Sequence, residues 1–438
     1  MAFPPIKSRA VPSSRLARLA GFGRIAGGLA GSVIGGGAGQ LVRGQRPNRP
    51  GLLLTPGNAR RLADELSRLR GAAMKMGQLL SMDAGELLPP ELSDIMSRLR
   101  ADAAPMPDAQ LEGVLTAAWG AGWEARFQRF DRRPIAAASI GQVHRAMTHD
   151  GRDLAIKVQY PGVRASIDAD VDNVATLIRM SGLLPAGLDV APLLAAAKQQ
   201  LHQEADYTRE AQCLAQFGAL LAGNAGFQVP ALMADLSTDT VLAMEHVGGV
   251  AVESLGALPQ AQRDAAISQL LSLVLSELFD WGVMQTDPNF ANYRYDLNSG
   301  RLILLDFGAT RDLPAALVTG YRAILRAGLA GDETAITTAL MGMGLIAPQA
   351  SPAMRAAIFA MVEDAFAPLR SGSVFDFGAT DMAMRLKDQS IALAAERAHF
   401  SVPPADFLLV QRKFGGMYLL ASRLKARVNV AALMAPYL

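Results

Sequence analysis

The chain has 438 residues, half of them hydrophobic and 19% charged, which excludes a disordered polymer and is too much for one small core, so two or three domains or one large bilobal one are expected. Its single cysteine, Cys213, excludes an internal disulfide framework and fits a reducing compartment, and its five histidines show no CxxC or HExxH spacing, which argues against a zinc site. The net charge of +2 conceals ten Lys and Arg with no Asp or Glu over residues 1–63, leaving −8 on the remainder.

That basic leader reads in three ways: a tether to anionic membrane, an organelle-targeting segment, or a solvated tail. Within it Arg24 and Arg43 bracket 18 uncharged residues, a glycine-diluted run that only just reaches spanning length. Gly23, Gly27, Gly31, Gly35 and Gly39 recur every fourth residue, which on a helix makes one smooth face; a flexible linker is the alternative. Residues 55–83 then read as a helix, with Leu62, Leu66, Leu69 and Ala73 on its apolar positions. Further helices are expected over 90–99 and 111–119.

The texture changes after Trp119. Short runs separated by turn signals predict strands near 127–131, 141–147 and 153–159, the last two joined by a hairpin at His149-Asp150-Gly151. A long helical region follows Pro161, breaks around Pro185 and resumes from 192 to 218. A strand is expected over 240–247, a helix over 261–281, and a buried strand at the start of 300–313; from there the pattern is almost entirely helical. This order predicts an α+β fold of the bilobal, ATP-clasping, protein-kinase-like kind: a basic leader over 1–52, a helical extension over 53–120, a small antiparallel sheet lobe over 121–250 and a large helical lobe over 251–438.

The chemistry concentrates in three places. Asp287 and Asn292 stand five apart, and Asp306 opens the triplet Asp306-Phe307-Gly308 after the apolar run LILL. A kinase catalytic loop has that Asp-to-Asn spacing and is followed by a DFG turn, because an amide and a carboxylate give magnesium hard oxygen ligands while the first Asp holds the attacking oxygen. A polar turn between core elements is the plainer reading. Lys157 lies in LAIKVQY, which matches the kinase Val-Ala-Ile-Lys strand; an edge lysine facing solvent is the alternative. Its candidate partners are Glu204, Asp206 and Glu210, read as one helix on which Asp206 and Glu210 share a face and Glu204 points elsewhere; a solvated acidic helix is the alternative.

These motifs arrive in an order that resembles the UbiB family of atypical, protein-kinase-like proteins, and most closely its coenzyme Q biosynthesis ATPase branch. The residues that carry the resemblance are KMGQ (75–78), AAASIGQVH (136–144), AIKVQYPGV (155–163), EAD (204–206), QTDPNFAN (285–292) and DFG (306–308), with RKFGGMYLL near the C-terminus. The resemblance implies that Lys157 binds phosphate and pairs with Glu210. It implies that Met244, Glu245 and His246 flank adenine through backbone groups, that Asp287 occupies the catalytic position, and that Asn292 and Asp306 hold Mg2+ on ATP. Ala137, Ala138 and Ser139 would form the phosphate loop, and Lys75 and Gln78 would fold over the site, held by Glu204 and Asp206.

Alanine at 136–138 where ordinary kinases have glycine restricts positive φ, so a narrowed loop, such as a helical turn, is expected there; packing against the N-terminal helices is the alternative. QTDPNFAN departs from the HxDPHPGN of many bacterial relatives and has the form of the mitochondrial branch. The activity implied is that of a membrane-peripheral MgATPase supporting ubiquinone biosynthesis. A lipid or small-molecule phosphotransferase, and a nucleotide-sensing, lipid-binding scaffold with little turnover, are the alternatives. Expected partners are anionic membrane lipid, coenzyme Q precursor lipids or biosynthetic enzymes, and a second copy of the chain as a homodimer, with no nucleic acid. The expected location is the cytoplasmic face of an inner membrane, or the matrix side of the mitochondrial inner membrane.

Overall fold

Spacing of four at Leu111, Leu115 and Trp119 gives helix α1 (Asp108–Trp119) a single buried face, which packs on the first sheet; Gly120, at φ 87°, ends it. The computed structural model describes residues 105–138, 140–180, 191–395 and 404–438. The leader, the helices expected over 55–83 and 90–99, Lys75, Gln78, Ser139 and the break near Pro185 lie outside the described residues.

The elements that follow are β1 (Phe127–Phe130), β2 (Ala136–Ala137), β3 (Gly141–Thr148), β4 (Asp153–Gln159), α2 (Val163–Met180), α3 (Ala191–Glu204), α4 (Tyr207–Leu220), β5 (Phe227–Gln228), β6 (Val241–Glu245) and β7 (Val250–Ala251). Then come α5 (Gln260–Ser276), β8 (Val283–Gln285), β9 (Tyr293–Tyr295), β10 (Leu302–Leu304) and β11 (Thr310–Asp312). The remainder is α6 (Ala315–Ala330), α7 (Glu333–Gly342), α8 (Pro352–Phe366), β12 (Phe375–Asp376), α9 (Met382–Ala395), α10 (Ala405–Arg423), β13 (Arg427–Val428) and α11 (Val430–Met434). They fall into two compact units. One runs to Ala215 and takes in Ala231–His246; the other comprises Gln216–Pro230 and Val247–Leu438.

The first unit is built on an antiparallel sheet in the order β1-β3-β4-β6, with β2 pairing on β3. The β3–β4 hairpin turns at residues 149–151, where Gly151 takes φ 86°. Leu154, Ile156 and Val158 point to one face of β4 and are buried. Lys157 and Gln159 point to the other, toward α3 and α4, and are buried as well. An aromatic cluster of Trp119, Trp123, Phe127 and Phe130 fills the end near α1.

Two expectations change here. The alanine stretch is extended: Ala136 and Ala137 pair with Val143 and Gln142, and the Ala138 amide donates to Gly141 at 2.9 Å. A two-residue strand satisfies these backbone groups as a helical turn would, at no cost in φ. The helix expected from 192 to 218 is broken. α3 ends at Glu204, the Gln159 side-chain amide takes the Ala205 carbonyl at 2.9 Å, and Asp206 caps α4 by accepting from the Arg209 amide at 3.0 Å. Glu204, Asp206 and Glu210 are therefore not on one helix, and the shared face assigned to Asp206 and Glu210 does not exist.

The GQVH part of the signature has a structural role. Gln142 Oε1 accepts from the Met106 amide, and its Nε2 lies 2.8 Å from His144 Nε2. His144 Nδ1 lies 2.8 Å from the Asp131 carbonyl. A carbonyl only accepts, so Nδ1 carries the proton and Nε2 accepts from the Gln142 amide. Burial lowers the His144 pKa from its usual value, which agrees with a neutral ring.

The second unit has a small sheet in the order β5-β10-β9-β7, a pair β8–β11 and a pair β12–β13, within a body of helices. α5 passes directly into one turn of π-helix, Glu277–Trp281, ended by Gly282 at φ 60°. The helical character expected after 313 is present, apart from β12 and β13.

Gly141 is sterically required. A Cβ there would lie 2.5 Å from the Val158 carbonyl oxygen and 2.6 Å from the Tyr207 hydroxyl. Gly141→Ala is expected to destabilise the fold by about 1–3 kcal/mol, the usual cost of overpacking. Urea unfolding checks this, and an unchanged midpoint would mean that β3 and β4 part freely at this position.

Candidate active site

In the first unit the site is an ion pair. Lys157 Nζ donates to both oxygens of Glu210, at 2.6 and 2.9 Å. The two side chains are 9% and 1% exposed. The pair follows from β4 alternation, which turns Lys157 toward α4, and from the Asp206 cap, which starts α4 one turn before Glu210. Tyr207, which sequence reasoning missed, sets its ring 5.2 Å from the ammonium. Its signal was legible as an aromatic residue one helical turn ahead of the carboxylate. Glu204 is buried and accepts from Gln200 Nε2 at 3.2 Å.

The backbone groups assigned to adenine are in part engaged. The Glu245 amide donates to the Ala231 carbonyl at 2.8 Å and the His246 amide to the Asp153 carbonyl at 2.9 Å. The His246 ring turns to Asp153, 3.3 Å from its carboxylate. Neither amide is thus available to a purine edge without breaking a protein hydrogen bond.

In the second unit β8 leads into Asp287 and β9 leads out of Asn292. The loop between them is two successive side-chain-capped turns: Asp287 Oδ1 accepts from the Asn289 amide, and Asn289 Oδ1 from the Ala291 amide, each at 3.2 Å. Register brings the rest close in the chain of contacts. Tyr293 pairs with Leu304, and the Leu305 amide donates to the Asn292 carbonyl at 3.0 Å, so Asn292 abuts the residue preceding Asp306. Asp306 Oδ1 accepts from the Gly308 amide at 3.0 Å. Thr286 binds the Ala309 carbonyl through both its amide and its hydroxyl, at 3.1 and 2.8 Å. Phe307 packs against Phe217 with ring centroids 5.0 Å apart.

Asn292 is 8% exposed, and among the described residues its Nδ2 has no hydrogen-bond partner. Core amides are rarely left so, because the desolvation cost is about 1–3 kcal/mol. An unpaired N–H donor of this kind fits a ligand oxygen such as a phosphate's, while the amide oxygen is the atom that could face a cation. Two carboxylates and an amide oxygen are a hard donor set suited to magnesium. Among the described residues no three His, Cys, Asp or Glu could hold a metal ion by themselves, so a magnesium here would draw much of its coordination from phosphate and water.

An antiparallel sheet with a lysine–glutamate pair, and a helical unit with an Asp-to-Asn loop followed by a DFG turn, define the protein-kinase-like class. The profile of the ABC1 atypical kinase-like domain matches residues 98–340. Atypical kinase COQ8, mitochondrial, of Saccharomyces cerevisiae is 35% identical over 431 residues, 98% of this chain and 85% of its own. Atypical kinase COQ8B, mitochondrial, of Rattus norvegicus is 36% identical over 431 residues, covering 96% of this chain and 80% of its own. Among solved structures, Rv3197 of Mycobacterium tuberculosis, determined as a complex with erythromycin, superposes with a TM-score of 0.63 at 27% identity, over 86% of this chain and 95% of that one. The chain belongs to the ABC1 family of atypical kinase-like proteins, the family its motifs resemble. No described helix is long and apolar enough to cross a membrane.

Two outcomes follow from the buried charges. Glu210→Ala leaves the Lys157 ammonium buried and is expected to cost about 3–5 kcal/mol, whereas Lys157→Met with Glu210→Leu should cost less than the sum of the singles. Urea unfolding of the parent, Glu210→Ala, Lys157→Met, Glu210→Leu and the double variant checks this, and strict additivity in the Met/Leu cycle would refute the coupling. Glu277 is fully buried, and burial pushes its carboxyl from 4.5 up to about 7, against the pull of Lys413. Its folded pKa exceeds the unfolded one, so its contribution to stability is complete below about pH 4.5 and is lost as pH rises through about 7. From about pH 5.5 to about pH 8 the parent should lose melting temperature by a component that Glu277→Gln lacks; parallel pH profiles would show Glu277 ionised throughout.

Proposed function

We propose that the chain is a kinase-like MgATPase that supports ubiquinone biosynthesis from the periphery of a membrane. The observation that carries this reading is the Lys157–Glu210 pair together with Asp287, Asn292 and Asp306, in a chain matched over nearly its whole length by proteins named atypical kinase COQ8, mitochondrial.

In this reading Lys157 binds nucleotide phosphate and Glu210 fixes its direction. Asn292 and Asp306 hold magnesium, which when bound neutralises charge on the phosphates. Asp287 orients the attacking oxygen and accepts its proton. Ala137, Ala138 and Ser139 form the loop on the phosphate side, where alanine takes the place of the glycines of ordinary kinases. Lys75 and Gln78 of the extension act on the nucleotide side, with Glu204 and Asp206 as their supports. The eight basic residues of the 1–52 leader supply attachment to anionic lipid, each contributing about 1 kcal/mol near such a surface. The location that goes with this is the cytoplasmic face of an inner membrane or the matrix side of the mitochondrial one, in contact with coenzyme Q precursors or the enzymes that process them.

The test uses the full chain and its Asp306→Asn variant. MgATP at about a hundredfold its Kd should stabilise the parent by about 2.7 kcal/mol, read as a thermal shift. The variant should lose the magnesium-dependent part, and phosphate release should rise when cardiolipin-containing vesicles are added to the parent. Equal MgATP stabilisation of both proteins would overturn the metal assignment. Label from the γ-phosphate appearing in extracted lipid instead of in free phosphate would make the protein a phosphotransferase.

A further inference from the structure

Helix α10 buries Val410, Lys413, Gly416, Met417, Leu420 and Ala421 along one stripe. A lysine therefore occupies a place where helical spacing calls for a hydrophobe. Lys413 is 0% exposed. Its Nζ donates to Gln285 Oε1 at 3.0 Å and to the Tyr293 hydroxyl, and it lies 3.8 Å from the Glu277 carboxylate. Glu277 in turn accepts from the Gln285 amide at 3.3 Å.

The two residues held by the ammonium are not arbitrary. Gln285 is the last residue of β8 and Tyr293 the first of β9, so residues 286–292 lie entirely between them. One ammonium closes the loop at its base. A turn further along α10, Gly416 accommodates the loop itself: a Cβ there would lie 2.5 Å from the Pro288 Cβ. The same helix face thus fixes the loop at both ends and along its length.

Stability is a poor reason for this arrangement. Burying an ammonium and a carboxylate is costly, and well-packed hydrophobes of similar volume often do as well or better. What hydrophobes cannot supply is a directed pair of hydrogen bonds to two particular residues. Resting on the function proposed above, we infer that Lys413 is a positioning residue for phosphoryl transfer, clasping residues 285 and 293 so that Asp287 and Asn292 keep a fixed mutual placement.

The experiment compares the full-length parent with Lys413→Met and Tyr293→Phe. Steady-state phosphate release, nucleotide affinity and hydrogen exchange are read on each. Lys413→Met is expected to lower kcat at least about tenfold while the Kd for nucleotide without magnesium stays within about twofold, since small misplacements of reacting groups are costly and binding through Lys157 is untouched. Tyr293→Phe keeps the ammonium, Gln285 and Glu277, and should lower kcat in the same direction. Amides of residues 286–292 should exchange faster in both variants, while those of Asp153–Gln159 stay as in the parent. A folded Lys413→Met protein with parental kcat and parental exchange at 286–292 overturns the inference. If Lys413→Met does not fold, Tyr293→Phe decides alone: parental kcat and exchange overturn it. A parent that releases no phosphate, with variants that still deprotect 286–292, removes the ATPase reading and leaves the clasp standing.

Discussion

An ammonium placed on the inner face of a sheet must find a counter-charge or lose its proton, and much of the first unit is arranged around that requirement at Lys157. Strand alternation turns the side chain inward, and only a carboxylate arriving at the same depth can keep it charged. Glu210 does so because α4 begins where it does. The break after Glu204 is held by Gln159, two residues beyond Lys157 on the same face of β4, and by the Asp206 cap. Gly141 leaves room for Tyr207 beside the ammonium. Changing any of these is expected to disturb the start of α4, and with it the carboxylate that pairs with Lys157.

The second unit solves a different problem, which is holding short polar segments still. Residues 286–292 and 306–309 contain few apolar side chains to pack, so their shape comes from directed bonds. Side-chain oxygens of Asp287, Asn289 and Asp306 each accept from an amide two residues on, and Thr286 grips the Ala309 carbonyl twice. Packing adds to this at Phe307, buried against Phe217, and at Pro288, buried beside Gly416. The loop is thus a polar turn between core elements and a set of ligand-type groups at once. The two readings of the sequence at this point are not exclusive.

What could be read from the sequence was what depends on neighbours along the chain. Alternation at 153–159 and the His149-Asp150-Gly151 turn are local, and so were legible, as was the five-residue interval from Asp287 to Asn292. The break at 205–206 was not, because a helical pattern runs through it and the competing bond comes from Gln159 in another strand. The extended form of Ala136 and Ala137 was not legible, because a restriction on positive φ allows a turn and a strand alike and the strand partners Val143 and Gln142 decide between them. The engagement of the Glu245 and His246 amides depends on Ala231 and Asp153, which no motif links to them. Lys413 did leave a trace: a charge on the apolar stripe of an otherwise regular amphipathic helix, in a segment that the resemblance marked as familial without giving it a role.

The bond from Lys413 to Gln285 joins residues 128 apart. A ribosome delivers the Asp287 loop long before it delivers the helix that closes it, at a pace of about 5–20 residues per second. For that interval of several seconds or more the nascent chain holds the Asp287 loop and the DFG turn without their frame. Contacts of such long sequence separation are also among the slowest to form in refolding. A chain arranged this way acquires its ordered loop only as the last large helix docks, so maturation of the loop reports that the whole helical unit has been assembled.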